Sequence, residues 1–280
     1  MNDHAPDPHP HPDPSDPQPH PDPLAPQPHT DAPDPRVHDG PTDPRVSGLP
    51  DQLRHLLGDV LAVGAPYGLA LTGDHAAQAH GLVEARPPGR DLETATEHAA
   101  PMERIAATVR AGLAERGWLV RTVETAPLSA RLLVTDPTTA EERTLDLLKE
   151  TLWHPPVETP LGLTLSLEDV VGTTVRAVAD RGTARDLIAV HAATAHWTAV
   201  ELEELARRHT SATSTAFDLA DLQSRLEGTE WLDDREFARH GLDADAVLRL
   251  RRWAQTWADD IAERLLEEEA LTSPPEEEPE

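Results

Sequence analysis

The chain has 280 residues, no cysteine and a formal net charge of −27. Without cysteine there are no disulfides, thiolate metal centres or cysteine nucleophiles, and the acidity argues against general coating of DNA or RNA by counterion release. No run approaches the roughly twenty apolar residues of a spanning helix, and Met1-Asn2-Asp3-His4 lacks the basic-then-apolar order of a signal peptide. A cytoplasmic protein with no membrane contact is therefore expected.

Residues 1–48 repeat Asp-Pro, His-Pro and Gln-Pro with almost no large apolar side chain. Such a segment cannot bury enough surface to offset its ordering entropy, so a disordered tail is expected. His4, His9, His11, His20 and His29 are spaced closely enough to invite a metal-chelating reading, but the composition favours a solvated spacer. Residues 270–280, rich in glutamate and proline, are expected to form a second disordered tail. Nine Asp against two Arg give the first tail −7, and seven Glu beyond Leu266 give the other end −7. The middle keeps −13.

From Pro50 the pattern turns helical, with Leu53, Leu56, Leu57 and Val60 on one face, and Gly64 to Tyr67 break it. The run 68–72 reads as a buried strand leading through Gly73 into a helix over 75–80. A strand over 90–94 follows, then a helix over 102–116 and strands over 118–125, 131–135 and 143–149. Asp136-Pro137-Thr138 marks the turn between the last two. A loop is expected around Pro155, Pro156 and Pro160. Beyond it, helices are predicted over 166–181, 185–195, 197–209, 218–226 and 243–269. The last should bury Val247, Leu250, Trp253 or Ala254, Trp257, Ile261 and Leu265. The six tryptophans are expected to supply core volume. The predicted class is α+β: a small mixed-sheet domain over 49–155, then an all-helical half over 156–269.

The chemistry concentrates in Thr72 to Thr96. Strand alternation puts Asp91 and Glu93 on one face, and paired carboxylates suit Mg2+, a hard cation that takes oxygen ligands. Asp146, inside the apolar run 144–148, is the candidate third acid, because a carboxylate there is costly unless it faces a site. Gly73, between strand and helix, would let backbone approach a phosphate. His75, His80 and His191 read as packed or exposed rather than catalytic.

The order strand, glycine, helix, Asp-x-Glu strand and later Asp strand resembles the DNA polymerase β-like nucleotidyltransferase superfamily. Within it, two stretches resemble the AbiEii/AbiGii toxin family. The first runs from Gln78-Ala79-His80-Gly81-Leu82-Val83 through Arg86-Pro87 to Asp91-Leu92-Glu93-Thr94-Ala95-Thr96. The second runs from Leu167-Glu168-Asp169-Val170-Val171-Gly172 through Arg176 and Asp180-Arg181 to Arg185-Asp186-Leu187. The resemblance implies a nucleotidyltransferase domain in which Asp91, Glu93 and Asp146 hold Mg2+. Gly73, Asp74, Arg86, Arg90, Arg181 and Arg185 would line the nucleotide site.

It further implies an NTP substrate, a possible RNA acceptor, a cognate antitoxin as partner, and a toxin-antitoxin or phage-defence setting. The chain departs from the family pattern at three places. Asp74 stands where many relatives have a second glycine or a serine, Thr174 where they carry a lysine, and Ala189 where they have an aspartate. A good helix N-cap is the structural alternative for Asp74. A second reading therefore stands beside the first: a catalytically degenerate domain that binds nucleotide or a partner through the same cleft.

Overall fold

The computed structural model describes residues 49–83, 91–209 and 216–272, with the side chain of Asp91 outside that set. Both tail predictions therefore lie outside the described residues, apart from the short stretch 270–272. The first helix, α1 (Asp51–Gly64), buries Leu53, Leu56, Leu57 and Val60, the predicted stripe. After a short 3-10 turn come β1 (Ala70–Thr72), α2 (Gly73–Ala79), β2 (Asp91–Thr96) and α3 (Met102–Glu115). Then follow β3 (Leu119–Thr125), β4 (Ser129–Thr135), β5 (Glu142–Lys149), β6 (Val157–Thr159) and β7 (Gly162–Thr164).

These strands form one mixed sheet in the order β3-β4-β5-β2-β1-β7-β6. The fold is α+β, as expected. The loop expected around Pro155 and Pro156 is present over 150–156, but the chain then forms the unpredicted β6–β7 hairpin with Pro160 in its turn, and β7 pairs in parallel with β1. Its strands are three residues each, too short to leave a visible alternation.

Alternation divides the sheet into two faces. Leu71, Thr94, Leu147 and Ala130 lie opposite one another across four strands, as do Leu92, Leu145 and Leu132. All are buried, and they pack with Ile105, Val109 and Leu113 of α3 and the leucines of α1 into the first core. The other face carries the polar residues taken up below.

The helical half runs through α4 (Leu167–Arg181), α5 (Ala184–Ala193), α6 (Ala199–Arg208), α7 (Leu219–Glu227), α8 (Asp234–Arg239) and α9 (Ala244–Thr272). Ser166, Thr183, Thr198 and Asp218 cap the first four of these through their side-chain oxygens. Gly182, at φ +57°, ends α4 in the left-handed conformation that glycine adopts readily. Val171, Val175 and Val178 on α4 and Val247, Leu250, Ala254, Trp257 and Ile261 on α9 belong to a second core. The predicted stripe on α9 is thus realised as far as Ile261, with Ala254 deeper than Trp253 and Leu265 only half-buried.

The tryptophans divide. Trp118 and Trp257 are buried, but Trp153 and Trp231 are exposed, the latter by 89%, which corrects the expectation that all six serve the core. Among the described residues no helix is long and apolar enough to cross a membrane.

Candidate functional site

The polar face of the sheet carries one continuous row. Thr72 on β1 lies opposite Glu93 on β2, Glu93 opposite Asp146 on β5, Asp146 opposite Arg131 on β4, and Arg131 opposite Glu124 on β3. Residues directly opposed in a ladder share a face. Glu93 and Asp146 therefore stand side by side. Arg86 and Arg90 lie outside the described residues.

Gly73 has φ +64°, and a Cβ there would sit 2.1 Å from Glu93 Oε2. The left-handed backbone favours glycine there, and a Cβ would in addition push the Glu93 carboxylate aside. The helix it opens, α2, is only seven residues long. Asp74 does not cap that helix, whose N-cap is Thr72 with no side-chain cap bond; Asp74 instead faces Arg185 Nε at 3.4 Å. Burial pushes the Asp74 carboxyl up to about 6, with Arg185 pulling it down and Glu93 adding to the rise.

The arginines define the rest of the site. Arg185 bridges Asp74 and Glu93, reaching Glu93 Oε1 at 3.1 Å. Burial lowers its pKa, but the pull of Asp74, Glu93 and Asp186 outweighs that and leaves it raised. Arg181 does not point freely into the cleft: its fork donates to both oxygens of Asp186 at 2.9 Å. Asp186, next to Arg185 in the chain, is thus the partner of Arg181. Ala189 is buried in α5.

Thr174 hydrogen-bonds the carbonyl of Val170 one turn back, and it lines a cavity of about 230 Å³ with Gly73, Asp74, Glu93, Arg176, Arg181 and Arg185. A second cavity of about 230 Å³ adjoins it across Glu93, Leu148 and Arg181, with Ser129, Arg131 and Asp146 on its far wall. Gly73, Asp74, Glu93, Arg181 and Arg185 thus come together at the first cavity, and Asp146 joins Glu93 and Arg181 at the second.

Sequence reasoning missed Arg131. It donates Nε and Nη2 to the two oxygens of Asp146 at 2.7 and 2.9 Å. The signal was available: the turn at Asp136 closes a hairpin, and counting outward from its Thr135–Glu142 pair arrives at Arg131 opposite Asp146.

No family model matches the chain, and no curated protein matches it either. Solved structures do. The JHP933 protein of Helicobacter pylori is 20% identical, with 80% of this chain and 100% of that one covered, at a TM-score of 0.44. The nucleotidyltransferase toxin MenT4 of Mycobacterium tuberculosis is 13% identical, with 75% and 91% covered, at a TM-score of 0.42. Likeness at this level carries no argument about activity. The AbiEii/AbiGii resemblance accordingly stands on its motifs, and the functional reading on the site's geometry.

The three histidines set aside in the sequence are packed or peripheral. His75 is buried, the His80 ring bonds the Leu165 carbonyl, and His191 stacks edge-on against Trp253, its pKa lowered by burial and then by Arg249. Among the described residues no three His, Asp or Glu side chains form a ready-made metal centre. What the row offers is two carboxylates, each already holding a cation in the form of a guanidinium. Their oxygen donors fit a hard divalent ion, which is usually bound by one or two carboxylates together with substrate phosphates.

Proposed function

We propose that this chain is a cytoplasmic, Mg2+-dependent nucleotidyltransferase of toxin-antitoxin or phage-defence type. It would transfer a nucleotide from an NTP to an acceptor, RNA being the one that the motif resemblance suggests, with a cognate antitoxin as its partner. The observation that carries this reading is the direct opposition of Glu93 and Asp146 on neighbouring parallel strands, beside a cleft with Arg181 and Arg185 on its wall.

In this reading Asp91, Glu93 and Asp146 hold the metal. When bound, it supplies positive charge against the phosphates and acidifies an acceptor hydroxyl. Arg185 and Arg181 supply fixed positive charge beside the same acids, where phosphates would arrive. Gly73 leaves room for the Glu93 carboxylate, which a side chain there would push aside.

A second reading is favoured by Arg131, whose fork uses both oxygens of Asp146: a catalytically degenerate domain that binds nucleotide or a partner in the same cleft. One experiment separates them. Thermal stabilisation by Mg2+ with each NTP is measured first, then transfer of labelled nucleotide onto total RNA. Stabilisation with transfer supports the enzyme, stabilisation without transfer supports the binding domain, and neither overturns both.

A further inference from the structure

The feature the sequence did not anticipate is also the one that decides how the acidic centre is loaded. Asp146 has only 15% of its side chain exposed, while its partner Arg131 is 53% exposed and stands at the wall of the second cavity. The acid is held in the middle of the row between β2 and β4. The guanidinium has open space beside it. A planar arginine fork matches a phosphate as well as it matches a carboxylate, so the same side chain has two possible anionic partners within reach of one cavity. Arg185 repeats the arrangement on Glu93 with a looser hold, one contact at 3.1 Å shared with Asp74 at 3.4 Å.

We infer that Arg131 is an internal counter-cation on Asp146 which gives way when a substrate phosphate draws it off, so that divalent metal and triphosphate load together. The inference rests on the metal reading above and adds its regulation. A divalent ion arriving alone must displace a bidentate guanidinium and loses that ion pair. Arriving with a triphosphate, it takes the carboxylate while the phosphates take the arginine, and every charge keeps a partner. The guanidinium at rest also eases the repulsion between Glu93 and Asp146 that adjacent carboxylates would otherwise suffer.

The test is a Mn2+ titration of the full chain, read from the paramagnetic signal of the free ion, without nucleotide and with each non-hydrolysable NTP analogue in turn. The wild type should bind Mn2+ weakly alone and more tightly with an analogue. Arg131→Gln should bind Mn2+ alone about five-fold more tightly or better, the scale of one partly exposed ion pair, and should gain less from the analogue. Arg131→Lys, which keeps the charge but loses the fork, should fall between them.

Mn2+ affinity in Arg131→Gln no higher than in the wild type, with Asp146→Asn losing the metal, overturns the inference and leaves the metal reading intact. Asp146→Asn binding Mn2+ as the wild type does shows that the metal is not at this acid. In that case the metal reading and the inference fall together.

Discussion

Two acid–arginine clusters in this molecule look alike in composition and differ in surroundings. In the helical half, Glu203 is fully buried; Trp257 Nε1 donates to it at 2.9 Å, and Arg264 grips both of its oxygens at 2.8 and 2.5 Å. Glu203 itself has no exposed surface. In the cleft, Glu93, Asp74 and Asp146 also hold arginines, but these acids keep some exposure and the arginines line two adjoining cavities. The first cluster joins α6 to α9 and has no spare valence. The second has partners that can be exchanged. An ion pair therefore speaks for structure or for function through what lies beyond it, not through its own geometry.

Substitutions can break that comparison at either end. The largest expected effect is on catalysis: Asp91→Asn and Asp146→Asn should each lower labelled-nucleotide transfer by about a thousandfold or more, since positioning supplies most of the rate in this chemistry. Their denaturation midpoints should stay near the wild type. A comparable loss of fold stability would assign these acids to the structural class instead.

Next comes Glu203→Ala, which leaves the buried Trp257 N–H without its acceptor and Arg264 with Asp260, and should cost about 2 kcal/mol in chemical denaturation. A cost below about 1 kcal/mol would show that the two clusters are not different in kind. Thr174→Lys follows. Thr174 lines the cleft, so a lysine there should tighten NTP binding by about 1 kcal/mol, read by titration calorimetry. Unchanged or weaker binding would mean that the cleft does not receive phosphates.

The smallest effect has a distinctive pH dependence. The Asp74 carboxyl is raised from 3.8 to about 6 by burial, so between those values the folded chain binds more protons than the unfolded one. Stability must then fall as pH rises through the window, and the penalty is complete above about pH 6. Asp74→Asn removes it. The variant should match the wild type below about pH 4 and exceed it at pH 7.5, by less than about 1 kcal/mol because the side chain is 36% exposed. Equal melting temperatures at pH 7.5 would show that Arg185 fully offsets the burial.

Much of this was legible in one dimension. The stripe Leu53-Leu56-Leu57-Val60 and that of Val247, Leu250, Trp257 and Ile261 each follow from a period that a single element imposes on its own residues. The β6–β7 hairpin was not legible, because three-residue strands carry no period and are held by pairing with β1. The exposure of Trp153 and Trp231 was not either, since burial depends on what packs above a residue.

The sequence by itself determined which residues are acids and arginines, which face of its own strand each occupies, and that a glycine precedes the helix at residue 73. Only the tertiary structure decided their partners. Strand order set Glu93 beside Asp146, hairpin register set Arg131 on the same acid, and the approach of α5 to the sheet gave Arg185 to Asp74 and Glu93 while Arg181 turned to Asp186. The physical reason is range. Periodicity comes from local backbone geometry, but a charge chooses its partner through space, among neighbours that folding has brought together from 92 residues apart, as with Glu93 and Arg185.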